Sequence, residues 1–165
     1  MNLHYMILAH KQPEQVKRLI EKLQSSNSFF HIHIDQGTDD SPFRKALAQM
    51  PGVMFCAEQD RQYGTWGDIG IVKATIRMLE RITQQENEPG YCILLSGQDY
   101  PIKSPEYIRS FLQQHDGTDY ISCFPLPSGD WNNGGMERLT WYKINISNRR
   151  GDFVLCPSVF DAGFY

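Results

Sequence analysis

Tyr91-Cys92-Ile93-Leu94-Leu95 runs directly into Ser96-Gly97-Gln98-Asp99-Tyr100-Pro101, and this junction decides the fold. A continuous apolar run of strand length predicts a central strand covered on both faces. The turn after it has a different chemistry. Gly97 admits close backbone approach, Gln98 and Asp99 offer donors and acceptors, and Pro101 stiffens the exit. This is a binding turn at the carboxyl edge of a sheet, where open α/β sheets hold their ligands.

The same alternation of elements extends in both directions. Upstream, Asn87-Glu88-Pro89-Gly90 ends a long helix whose apolar stripe is read as Ile69, Val72, Ile76, Leu79 and Ile82. Before it come a loop from Glu58 to Gly67, a short strand Val53 to Cys56, and a helix opening at Ser41-Pro42 and running through Met50. Phe30 to Asp35 alternates like a strand. Val16, Leu19, Ile20 and Leu23 recur at helical spacing after Pro13, and Tyr5 to Ala9 is a first buried strand. Downstream, Ser104-Pro105-Glu106 starts another helix, and Asp119 to Phe124 is read as a further strand. Strands alternating with helices predict an α/β fold with a mostly parallel, Rossmann-like sheet flanked by helices. Residues 1–124 are expected to form this portion. Residues 125–165, rich in Pro, Gly and Trp without a period, begin a second region, all within one domain that reads as incomplete at its end.

Composition narrows the partners. The 165 residues are 41% apolar and 21% charged with a net charge of −3, so no electrostatic case exists for nucleic acid or an anionic membrane. The apolar start from Met1 to His10 is too short for a spanning helix or an export signal. Cys56, Cys92, Cys123 and Cys156 lack metal-ligand or Cys-x-x-Cys spacing. They are read as reduced structural thiols, with Cys92 and Cys123 inside strands, which fits a cytoplasmic setting, peripheral to a membrane at most.

Neither a Gly-x-Gly-x-x-Gly after the first strand nor a Walker-type loop is present, which disfavours dinucleotide enzymes and phosphate-loop ATPases. Gly64 to Gly70 leads into a helix, and serves either a phosphate at that helix start or only a tight turn. Asp35, at a strand end, is suited to a ribose hydroxyl, while Asp39 and Asp40 read as a solvated helix start. His31 and His33 share a strand face and read as core histidines rather than metal ligands. His10, ending the first strand, faces a ligand.

Leu95 to Lys103 resembles the hallmark segment of the core-2/I-branching β-1,6-N-acetylglucosaminyltransferases and peptide O-xylosyltransferases, here as a bacterial-type member. Ile7-Leu8-Ala9-His10-Lys11, His33-Ile34-Asp35, Trp66-Gly67 and Val72-Lys73-Ala74-Thr75 are similar to the family's other landmarks in the same order. The resemblance implies a GT-A-type fold and an inverting, metal-independent transfer from a UDP-sugar to a glycan or other hydroxyl acceptor, with no further cofactor. His10, Asp35, Tyr63, Trp66, Gly97, Gln98 and Asp99 would shape the donor site. Gly134 to Leu139 with Tyr142 is similar to the acceptor segment, which implies Glu137, Arg138, and Trp141 or Tyr142 as acceptor contacts. A surface loop with a half-buried Trp explains those residues equally well. In the family the general base and the cations that neutralise the diphosphate follow later, so the base is expected beyond Tyr165. Eukaryotic relatives are Golgi lumenal. The rival expectation is a sugar-nucleotide-binding fragment or pseudoenzyme without turnover.

Overall fold

A computed structural model describes residues 1–65, 67–85, 88–147 and 151–157, in two compact units divided between Gly117 and Thr118. In the first, β1 (Asn2–Ala9), β2 (Ser28–Ile34), β3 (Val53–Phe55) and β4 (Gly90–Ser96) form one parallel sheet in the order β3-β2-β1-β4. Between and after them lie α1 (Pro13–Leu23), α2 (Ser41–Leu47), α3 (Gly70–Gln85) and α4 (Pro105–Gln114). The expected α/β class with a mostly parallel sheet is therefore found.

Strand alternation sorts the side chains onto two faces. Leu3, Tyr5, Ile7 and Ala9 of β1 sit in register with Phe30, Ile32 and Ile34 of β2 and with Tyr91, Ile93 and Leu95 of β4. This face packs on Val16, Leu19, Ile20 and Leu23 of α1, Phe43 and Leu47 of α2, and Leu112 of α4. Each such buried side chain contributes about 1.5–3 kcal/mol relative to exposure. Pro13 pre-sets the first turn of α1, and Ser104 caps α4 by accepting from the Tyr107 N–H at 3.3 Å.

The other face carries His4, Met6 and Leu8, of which Met6 and Leu8 pack with Met78, Leu79 and Ile82 of α3. Here the expected stripe is corrected. The buried line of α3 is Gly70, Ala74, Met78 and Ile82, whereas Ile69, Val72 and Ile76 are exposed. Small residues at the start of the line let the helix approach its neighbours closely, and that outweighs the larger aliphatics beside them. The reading of β4 as a central strand is corrected as well. Among the described residues it is an edge strand, half-buried on the Tyr91-Ile93-Leu95 side and exposed at Cys92 and Leu94. An apolar run shows that a strand is apolar on both sides, and the topology decides whether both sides are covered.

The segment 119–124 is not a strand; Ile121 and Phe124 are exposed, and among the described residues it joins no β-ladder. Cys123 is accordingly exposed outside any strand, and all four thiols are free. The second unit contains α5 (Glu137–Thr140) and an antiparallel hairpin of β5 (Trp141–Asn145) and β6 (Phe153–Pro157). No helix among the described residues is long and apolar enough to cross a membrane.

One core atom is out of balance. Tyr5 is 1% exposed and stacks on Phe30 at 5.3 Å, yet its hydroxyl has no hydrogen-bond partner among the described residues, and burial pushes its pKa up to about 12. A buried unpaired hydroxyl costs about 1–3 kcal/mol. Tyr5→Phe keeps the stacking and is expected to raise stability by about 1 kcal/mol. Urea unfolding checks this; a lower midpoint for the variant refutes the assignment.

Candidate functional site

Four loops leave the carboxyl ends of the parallel strands, and hydrogen bonds tie them to one another. The Asp35 N–H donates to Ala9 O at 2.9 Å, the Thr38 hydroxyl to His10 O at 3.3 Å, and the Gly97 N–H to Leu8 O at 2.8 Å. His10, Asp35, Tyr63, Gly97, Gln98 and Asp99 thus all lie on loops at one edge of the sheet. Trp66 lies outside the described residues.

Both aspartates of this edge hold backbone. Asp35 Oδ1 accepts from the Gly37 N–H at 2.8 Å, and its Oδ2 accepts from the Gly64 N–H. Asp99 Oδ2 accepts from the Ser96 N–H at 2.8 Å and closes the hallmark turn, while the Gln98 N–H donates to Ser96 Oγ at 3.2 Å. An ionised carboxylate accepts at up to about four lone-pair sites, so Asp35 retains capacity toward a ligand. Asp39 accepts from the Ser41 N–H, which with the Ser41 hydroxyl holds its carboxyl below the usual range, and Asp40 pairs with Arg44 at 2.7 Å. Both serve the start of α2.

The glycines of the third loop give close packing. A Cβ at Gly64 would lie 3.0 Å from Asp35 Oδ2, and one at Gly70 would lie 1.9 Å from the Tyr63 carbonyl oxygen. Gly97 is buried, and its missing Cβ makes room for Ala9 and Val16.

His33, read as a core histidine, is indeed buried, whereas Arg61 went unmarked in the sequence. His33 Nε2 accepts the Gln62 N–H at 2.9 Å, which places the ring proton on Nδ1. Burial lowers its pKa, opposed by nearby Asp35 and aided by Arg61. Arg61, only 6% exposed, donates to the carbonyls of Ile34, Asp35 and Thr38 and to the Glu58 carboxylate. In the sequence it is one charge in the polar run Glu58-Gln59-Asp60-Arg61, with no signal that it turns inward. His4 and His31 form a buried pair at 3.1 Å, and no three His, Cys, Asp or Glu converge among the described residues.

In the second unit, Arg138 lies over the Trp131 ring at 4.0 Å, and Glu137 Oε2 is buried with no hydrogen-bond partner among the described residues. Trp141 and Tyr142 are consecutive on β5 and half-exposed, so they point to opposite faces of the hairpin.

A parallel sheet of this order, with helices on both faces and its polar loops at the carboxyl edge, is of the GT-A-like Rossmann class. The chain belongs to the core-2/I-branching enzyme family of glycosyltransferases, whose family model, Core-2/I-Branching enzyme, matches residues 3–152. It is 25% identical over 157 residues to the N-acetyllactosaminide β-1,6-N-acetylglucosaminyl-transferase of Homo sapiens, covering 93% of this chain and 37% of that protein. It is 24% identical over 111 residues to Xylosyltransferase oxt of Drosophila melanogaster, covering 65% of this chain and 12% of the relative. The β-1,3-galactosyl-O-glycosyl-glycoprotein β-1,6-N-acetylglucosaminyltransferase of Bos taurus is 27% identical over 128 residues, 75% of this chain and 29% of its own length. The chain therefore spans well under half the length of these relatives.

Proposed function

We propose that this chain is the donor-binding part of an inverting, metal-independent glycosyltransferase that moves an N-acetylglucosamine- or xylose-type sugar from a UDP-sugar to an acceptor hydroxyl. The observation that carries this reading is the place of the turn Ser96 to Pro101. From β1 the chain order runs outward to β2 and β3 on one side, and β4 lies on the other. The order reverses between β1 and β4, the place where doubly wound sheets bind nucleotides. The loop bearing His10 and the hallmark turn flank that point, with Asp35 and Tyr63 on the neighbouring strand ends.

In this reading His10, Asp35, Tyr63, Trp66, Gly97, Gln98 and Asp99 form the donor side. Residues 125–165 contribute Glu137, Arg138, and one of Trp141 and Tyr142 to the acceptor side. A general base must take the acceptor proton as the hydroxyl attacks the anomeric carbon.

A thermal shift series with UDP, UDP-N-acetylglucosamine, UDP-xylose and NAD, with and without EDTA, tests the proposal. A UDP compound at one hundred times its dissociation constant adds about 2.7 kcal/mol of stability. Stabilisation by NAD alone refutes the reading, and UDP stabilisation that vanishes on chelation refutes metal independence. Asp35→Ala frees two loop amides and removes a ligand acceptor, and is expected to weaken UDP binding by about tenfold. Unchanged affinity removes Asp35 from the site.

A second reading, binding without turnover, draws on the same geometry, since Asp35 and Asp99 both spend carboxylate oxygens on backbone amides. Release of UDP from a UDP-sugar in the presence of acceptor separates the two.

A further inference from the structure

We propose that Arg61 is a positioning residue for the donor site: its buried guanidinium presets the loop that carries Asp35, and through it the approach of Tyr63 and Gly64. This deepens the donor-binding reading and rests on it.

The backbone from Ile34 to Thr38 is wrapped around one side chain. Nε donates to Ile34 O at 3.1 Å, and Nη2 donates to Asp35 O at 2.8 Å and to Thr38 O. Nη1 donates to both oxygens of Glu58, at 3.0 and 2.9 Å. The planar fork thus points at carbonyls in several directions at once, which a lysine ammonium on a flexible stem does not reproduce. Burying a guanidinium is costly. Glu58 and, at 3.8 Å, Asp40 oppose that cost with their charge, and the carbonyls do so with hydrogen bonds.

The return connections make the two loops one body. The Gln36 N–H donates to Gln62 O at 3.1 Å, the Gln62 N–H to His33 Nε2 at 2.9 Å, and the Gly64 N–H to Asp35 Oδ2. A Cβ on Gly37 would meet Asp35 Oδ1 at 3.2 Å and the Tyr63 ring at 3.4 Å, so that ring lies over the same turn. Arg61 acts through these groups. A loop held in its binding conformation avoids an ordering cost when ligand arrives.

The test uses the full chain carrying Arg61→Lys, with Leu112→Ala as a control that lowers global stability from the α4 side of the core. Two measurements are made well below the unfolding midpoint: amide hydrogen exchange and the dissociation constant for UDP. In Arg61→Lys, exchange at Gln36, Gly37 and Gly64 is expected to rise about tenfold while Ile7 and Ile32 stay protected. The UDP constant rises about tenfold as well. The Leu112→Ala control shows neither local change. Unaltered exchange at Gly37 and Gly64 overturns the proposal, as does altered exchange with unaltered UDP affinity. A wild-type chain that binds no UDP sinks the donor reading itself, leaving Arg61 nothing to position, whereas a binding wild type with an equal variant overturns Arg61 alone. Should Arg61→Lys not fold, Glu58→Gln weakens only the Nη1 partner, a side chain 71% exposed. It is expected to raise Gly64 exchange about threefold, and no change overturns the proposal.

Discussion

Gly97→Val is expected to lower unfolding stability by about 3 kcal/mol, near the upper end for overpacked sites. The physical reason is the company Gly97 keeps. Its N–H extends the β4 ladder by donating to Leu8 O at 2.8 Å, so the backbone cannot drift away without breaking that bond. Even a single Cβ there would sit 2.8 Å from Ala9 Cβ and 3.0 Å from Val16 Cγ2. Ala9 ends β1 and Val16 lies in the first turns of α1, both fully packed, so neither has space to yield. In a chain of this size the loss corresponds to a midpoint lower by about 6–12 °C.

Gly97→Ala tests the mechanism more finely. It is expected to cost about 1–2 kcal/mol, and Ala9→Gly in the same chain to restore part of that cost by opening the closest approach. A double-mutant cycle with no coupling between the two positions removes steric crowding as the cause. Gln98→Ala, at the exposed next position, is expected to leave stability within about 0.5 kcal/mol. The hallmark turn therefore divides its labour: Gly97 joins β4 to the core, Asp99 closes the turn, and Gln98 is left free to face solvent or ligand.

This division marks where reading the sequence succeeds and where it stops. Val16, Leu19, Ile20 and Leu23 announce α1 because one face of a helix meets one core, and period alone shows that. The chain order of strands and helices, the strand-end loops and the place of Asp35 are legible for the same reason. What Asp35 does is another matter, because its partners Gly37 and Gly64 lie on two different loops. Arg61 is illegible for a related reason: its carbonyl acceptors at Ile34, Asp35 and Thr38 are 23–27 positions away. A buried arginine and a solvated one share the same polar run. On α3 the rule that apolar residues face inward misleads, because Gly70 and Ala74 win the close approach by being small. On β4 the run Tyr91 to Leu95 shows hydrophobicity without showing which face has a neighbour.

Acidification from pH 7 to pH 5 is expected to remove no more than about 2 kcal/mol of stability through His31. His31 lies under α3, 8% exposed, and burial first, then the nearby His4 and Arg81, lower its pKa from 6.5 to about 4. A histidine depressed in the folded state binds its proton more readily unfolded. Its contribution is therefore complete above pH 6.5, declines as pH falls below that value, and is gone near pH 4. The pairing explains the resistance to charge: one ring must donate and the other accept across 3.1 Å, and two fully protonated rings offer only donors. His33 shifts in the same direction, so acid also threatens the acceptor that anchors Gln62 and, through it, the loop reaching Asp35. Asp39 and Glu106, whose carboxyls are lowered by local hydrogen bonds, are affected only in more acidic solution, so this window isolates the histidines. Urea unfolding at pH 7, 6 and 5 provides the measurement, with the double variant His4→Leu/His31→Leu for comparison. The wild type is expected to lose stability steadily across the three and the variant to show a flatter profile. Parallel profiles for the two proteins refute the assignment to this pair.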